Sequence, residues 1–149
     1  MRVQRWLVIT LACGVAACSP SGRGDAASPR LPVISLPAEL DRVLRDYERD
    51  WRGGDARSLS QLFTEDGMVI AAGRNAIRGR GAIEAFYAGP SGQLTLAPIA
   101  FAASDSVGYI IGTFGGPDVA SHPGNFILAL RRSPEGRWLI AADMAGTAR

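Results

Sequence analysis

The polar side chains best placed to do chemistry are a phenol and a carboxylate set among apolar neighbours. Tyr47 falls on a stripe with Leu40, Val43, Leu44 and Trp51, at i, i+3, i+4, i+7 and i+11. Such a stripe is one face of a 3.6-residue period. On it, Tyr47 and Trp51 are either core residues with satisfied polar tips, or residues whose O–H and N–H face a cavity and orient a ligand. Asp143 interrupts the apolar run Leu139-Ile140-Ala141-Ala142-Asp143-Met144. A carboxylate there either faces solvent or is buried with a raised pKa and able to move protons. Strict alternation groups it with Leu139 and Ala141, opposite Trp138 and Ile140. If the two groups met, Tyr47 would donate a hydrogen bond and Asp143 would take a proton, which is acid–base chemistry on a carbonyl compound.

Other reactive residues point to less. His122, the single histidine, lies in the Gly/Pro-rich loop Gly115–Gly124 with no second ligand beside it. No His, Cys and carboxylate cluster has metal-ligand spacing, and no Gly-x-Ser-x-Gly elbow occurs. No metal and no cofactor is expected. Gly79-Arg80-Gly81 opens like a phosphate-binding turn, but Glu84 stands where a third glycine belongs and the following helix is short. Arg74, Arg78 and Arg80 read as a solvated rim.

The N-terminus carries an address. Met1–Arg5 is basic, and Trp6–Ala17 is an apolar run ending in small residues. That run suits a secretory signal and is well short of the ~20 residues that span a bilayer. Val15-Ala16-Ala17-Cys18 resembles the bacterial lipobox, so residues 1–17 are expected to be removed and Cys18 lipidated. Cys13 lacks the aliphatic residue three positions before it. With Cys13 gone and Cys18 acylated, the mature domain has no thiol, disulfide or Cys-based metal site. Ser19 fits sorting to the outer membrane, facing the periplasm of a bacterial cell envelope. Residues 18–36 read as lipidated cysteine and flexible tether, rich in Ser, Gly, Pro and Ala, with Leu31–Leu36 apolar enough to pack on the domain. Sixteen arginines face fourteen Asp and Glu, and Arg2 and Arg5 leave with the signal. The remainder is neutral, which gives nucleic acid no footprint.

Residues 37–149 form the domain. The first helix starts near Pro37, with Ser35 as candidate N-cap, and stops at Gly53-Gly54. Its outer face is a mixture of acids and arginines, with Asp41–Arg45 and Glu48–Arg52 as pairs four apart. Asp55 caps a second helix bearing Leu59, Leu62 and Phe63. Thr64-Glu65-Asp66-Gly67 is turn chemistry before the strand Met68–Ala72. Ala76–Arg78 is a short second strand, and Gly81–Ala88 a small helix with Ile83, Phe86 and Tyr87 on one side. Gln93–Ala103, Val107–Phe114, Asn125–Arg132 and Arg137–Ala145 then make a meander, its last turn Ser133-Pro134-Glu135-Gly136. Three helices followed by four strands predict an α+β fold.

This order of elements resembles the nuclear transport factor 2-like superfamily, in its SnoaL-like branch of domains of unknown function. The resemblance rests on Trp51-Arg52-Gly53-Gly54-Asp55, Leu62-Phe63-Thr64-Glu65-Asp66-Gly67, Ile77-Arg78-Gly79-Arg80-Gly81-Ala82-Ile83 and the closing hairpin with Gly136-Arg137-Trp138-Leu139-Ile140. It covers residues 37 to 145. It implies a cone-shaped, curved, antiparallel or mixed sheet wrapped around three helices, an internal pocket, and homodimerisation through the sheet. Ketosteroid isomerases belong to this superfamily beside dehydratases, cyclases and non-catalytic binding modules. Tyr47, eight residues before Asp55, stands at the place of the isomerases' oxyanion-stabilising tyrosine. Their general base is an aspartate in the first strand, and counting from Phe63 puts Ala71 there. The expected pocket residues are Tyr47, Trp51, Met68, Ile70, Phe86, Tyr109 and Asp143. The expected function is binding of a small apolar molecule or a protein partner without catalysis. The alternative is an isomerase-, cyclase- or dehydratase-type enzyme using Tyr47 and Asp143.

Overall fold

The computed structural model describes residues 31–116 and 124–147. Cys18, the signal segment and His122 lie outside them. Helix α1 (Ala38–Gly53) is followed by α2 (Ala56–Gln61), strand β1 (Phe63–Ala71), the two-residue β2 (Ile77–Arg78) and helix α3 (Arg80–Tyr87). The meander is β3 (Thr95–Ala103), β4 (Val107–Gly115), β5 (Gly124–Arg132) and β6 (Trp138–Thr147). One curved six-stranded sheet results, in the order β2-β1-β6-β5-β4-β3. Every pairing is antiparallel except β1 with β6, which is parallel. The fold is therefore α+β with a mixed sheet. Among the described residues no helix is long and apolar enough to cross a membrane.

The stripe on α1 is the centre of the core. Leu40, Val43, Leu44 and Tyr47 are buried, and Trp51 packs against them from a partly buried position. Gly54 ends the helix with a φ of 66°, and its N–H donates to the Trp51 carbonyl at 3.0 Å. A left-handed φ is cheap only for glycine, which is why the stop falls there. Asp55 caps α2 as expected, its Oδ1 accepting from the Ser58 N–H at 2.9 Å. Ser35 does not cap α1. Pro37 occupies that position with no side-chain bond, and its carbonyl accepts from the Leu40 and Asp41 N–H groups.

The outer face of α1 departs from expectation. Asp41 and Arg45 pair at 3.4 Å, but Glu48 is buried and makes no ion pair with Arg52. Its Oε1 accepts from the Leu96 N–H at 2.6 Å and its Oε2 from Arg45 Nη1 at 2.6 Å. Arg45 Nη2 donates in turn to the Leu96 carbonyl at 2.9 Å. Two side chains of the helix thus satisfy both backbone groups of one residue of β3. A charged group is tolerated out of water when its oxygens are this fully bonded. Two positions on, the Pro98 carbonyl accepts from the Ile34 N–H at 2.9 Å, so the segment before the helix does touch the domain.

Thr64–Gly67 is not a turn but part of β1, whose register against β6 shifts between Phe63 and Met68. Gly67 explains the path. A β-carbon there would sit 2.9 Å from Phe63 Cβ and from the Thr64 carbonyl, so only glycine lets the strand fold this tightly on itself. Arg80 is likewise no part of a solvated rim. Its Nε and Nη2 donate to the Phe63 carbonyl at 2.9 and 2.7 Å, fixing α3 to the start of β1.

Candidate functional site

Helices and sheet enclose a cavity of about 200 Å³. Tyr47 and Trp51 reach it from α1, Phe86 and Tyr87 from α3, and Val69 and Ala71 from β1. Leu94 and Leu96, Phe114, Phe126 and Leu128, with Ala145 of β6, complete an almost wholly apolar wall. Asp143 supplies the wall's carboxylate.

Asp143 reaches the inside because β6 contains a bulge. Ala129 of β5 pairs with Ala142, whereas Leu130 pairs with Ile140, which leaves Ala141 as an extra residue. One inserted residue reverses the alternation of side chains. Asp143 accordingly shares the inner face with Trp138 and Ile140, not with Leu139 and Ala141, and is 3% exposed. It stands in register with Val69 of β1 and Leu128 of β5, both of which also line the cavity.

Three oxygens converge at this point. Tyr47 Oη donates to Asp143 Oδ2 at 3.0 Å, Tyr87 Oη lies 3.3 Å from the same oxygen, and the two phenols are 2.8 Å apart. Tyr87 also packs edge-on against the Tyr47 and Trp51 rings, with centroids 6.2 and 5.8 Å away. Loss of hydration pushes the Asp143 carboxyl up to about 6, although hydrogen bonds from Tyr47 and Tyr87 pull the other way. Burial, followed by the neighbouring Asp143 charge, holds both phenols well above their ordinary value. Near neutral pH the phenols are therefore hydrogen-bond donors and only the carboxyl titrates. Among the described residues no group of three His, Cys, Asp or Glu could hold a metal ion.

Of the residues expected in the pocket, Tyr47, Trp51, Phe86 and Asp143 line the cavity. Met68, Ile70 and Tyr109 do not. Val69 and Ala71 take the inward positions of β1, which turns Met68 and Ile70 to the other face. In β4 the inward set is Ile110, Gly112 and Phe114, so Tyr109 is 41% exposed on the outer surface. Tyr87 is the residue the sequence reading passed over. Its only signal was its place beside Ile83 and Phe86 on a helix too short to declare which neighbour it faces.

Comparison with known proteins rests on structure alone. No protein-family model and no curated protein matches the chain. A ketosteroid isomerase-like protein from Erwinia carotovora atroseptica superposes with a TM-score of 0.63 at 15% identity, over 75% of this chain and 95% of that one. A protein with a cystatin-like fold from Novosphingobium aromaticivorans, itself described as nuclear transport factor 2-like, gives 0.58 at 21% identity, over 73% and 79%. The fold is nuclear transport factor 2-like. A protein of unknown function from Mycobacterium tuberculosis superposes with a TM-score of 0.63 at 19% identity, over 74% of this chain and 70% of that one. Identities this low carry the architecture and not an activity. Within this nuclear transport factor 2-like domain, the position where the resemblance puts the isomerase base is Ala71, an alanine on the cavity wall.

Proposed function

We propose that this domain receives a small, largely apolar molecule in its cavity and holds it without turning it over. The observation that carries the reading is the wall itself, apolar throughout except for one cluster of Tyr47, Tyr87 and Asp143. Apolar enclosure supplies affinity and a single polar cluster supplies orientation. Ala71 leaves the usual proton acceptor absent. Calorimetric titration with naphthalene tests this. Saturable binding is expected, weakened about tenfold in Ala71→Leu, whose branched side chain would intrude into the cavity. Equal affinities in wild type and variant would place the ligand elsewhere.

One observation favours a second reading, that of an acid–base enzyme. Tyr47 and Asp143 do meet, at 3.0 Å, and the carboxyl titrates near 6. Such an enzyme would show turnover of enolisable ketones with an acidic limb near pH 6, abolished in Asp143→Asn. The binding reading predicts flat background rates in both proteins.

The address is proposed with the function. A lipobox ending in Cys18 supports a lipid-anchored protein of the bacterial envelope, with two or three acyl chains giving a stable anchor. Cys18→Ser should move the protein out of the membrane fraction or leave its precursor uncleaved. Normal processing and fractionation of the variant would refute the anchor.

A further inference from the structure

The three oxygens at the cavity's polar end can be counted against their protons. Tyr47, Tyr87 and Asp143 Oδ2 make three close contacts of 2.8, 3.0 and 3.3 Å. With the carboxyl ionised, the cluster owns two protons, one on each phenol. Phenol oxygens 2.8 Å apart attract only with a proton between them, so one phenol donates to the other and the second to Asp143. Both protons are then spent inside the triangle. What remains is a set of lone pairs, those of the phenol oxygens and of Asp143 Oδ1. Among the described residues Oδ1 accepts no hydrogen bond, and Asp143 is a lining residue of the cavity.

From this count, we infer that the polar end of the cavity selects a ligand bearing a hydrogen-bond donor, a hydroxyl or an ammonium group on an apolar body, over the corresponding ketone. The inference rests on the binding function proposed above and specifies the ligand class of that same site. A hydroxyl donates to Oδ1 and breaks nothing. A carbonyl seated at the triangle must draw a phenol proton out of an existing bond, and a bond to a charged oxygen is among the stronger ones. Trp51 also lines the cavity, and its indole N–H makes no hydrogen bond to the triangle. Protonating Asp143 adds a third proton and relieves the shortage, so the preference is pH-dependent. Among the described residues, the groups facing Asp143 are Tyr47 from α1, Tyr87 from α3, Val69 from β1 and Leu128 from β5. Neither phenol titrates near neutrality, which leaves the carboxyl to set the response.

The test compares three molecules of one shape: tetralin, 2-tetralol and 2-tetralone. Calorimetric titration of the wild type at about pH 8 should show the alcohol binding about tenfold more tightly than the ketone, one hydrogen bond to a charged group being at stake. At about pH 5 the ratio should shrink. In Asp143→Asn it should no longer depend on pH, and the wild-type ratio decides the matter by itself if that variant fails to fold. Equal affinities for alcohol and ketone at both pH values, with tetralin bound, would overturn the inference and leave the cavity a binding site. No saturable binding of tetralin would overturn the binding function and the inference together.

Discussion

Asp143→Asn should remove a pH dependence of about 3 kcal/mol from the stability of the domain. Burial raises the carboxyl from its ordinary 3.8 to about 6 in the folded protein. The folded state therefore keeps its proton where the unfolded chain has lost it. Stability from this group is complete below about pH 4 and is lost as pH rises through about 6. The window is the interval between those two values. Urea unfolding of both proteins between about pH 4 and pH 7.5 measures it, with the wild type losing stability relative to the variant as pH rises. Asp55, Asp66 and Glu135, all exposed and held below their ordinary values, shift stability in the opposite direction. They are common to both proteins and cancel in the difference. A constant gap across the range would mean that Asp143 is as well hydrated as a surface carboxylate.

Leu44→Ala should cost about 2–5 kcal/mol, because the side chain is fully enclosed and its removal leaves a void that the helix cannot close. Arg42→Ala, at an exposed position of the same helix, should change stability by less than about 0.5 kcal/mol. Denaturant midpoints of the two variants, compared at equal slope, are the measurement. Arg45 would be a poor control, since its loss leaves the buried Glu48 carboxylate without its cation. A small loss at Leu44 would place the stripe outside the core.

Much of this was written in local chemistry. The stripe from Leu40 to Trp51, the Gly53-Gly54 stop, the Asp55 cap and the Ser133–Gly136 turn each depend on residues a few positions apart. They fall close to where their periodicity and turn types put them. The missing parts depend on distant partners. Glu48 looks like a surface acid until β3 arrives, nearly fifty residues later, with an N–H to satisfy. The parallel pairing of β1 with β6 joins strands from opposite ends of the domain. Half of the site was visible for the same reason. Tyr47 belongs to a long periodic helix, whereas Tyr87 belongs to a short one whose orientation Arg80 fixes through the Phe63 carbonyl. Asp143 was conspicuous as a residue but ambiguous as a direction. Alternation gave it the wrong companions, Leu139 and Ala141 in place of Trp138 and Ile140, because no residue type announces the bulge at Ala141.

The grip of Arg45 and Glu48 on Leu96 reaches beyond the domain that it braces. A sheet whose last strand is open invites a strand from another molecule, and repeated addition of that kind builds polymers. Here Leu96 has neither its N–H nor its carbonyl to offer, and Pro98 has no N–H and a carbonyl already engaged by Ile34. The opposite border is β2, two residues long and too short to template a newcomer. Val107, Tyr109, Ile127 and Met144 make the outer surface sticky. With β2 this short and the first half of β3 blunted, that stickiness has less purchase for growing an ordered fibre.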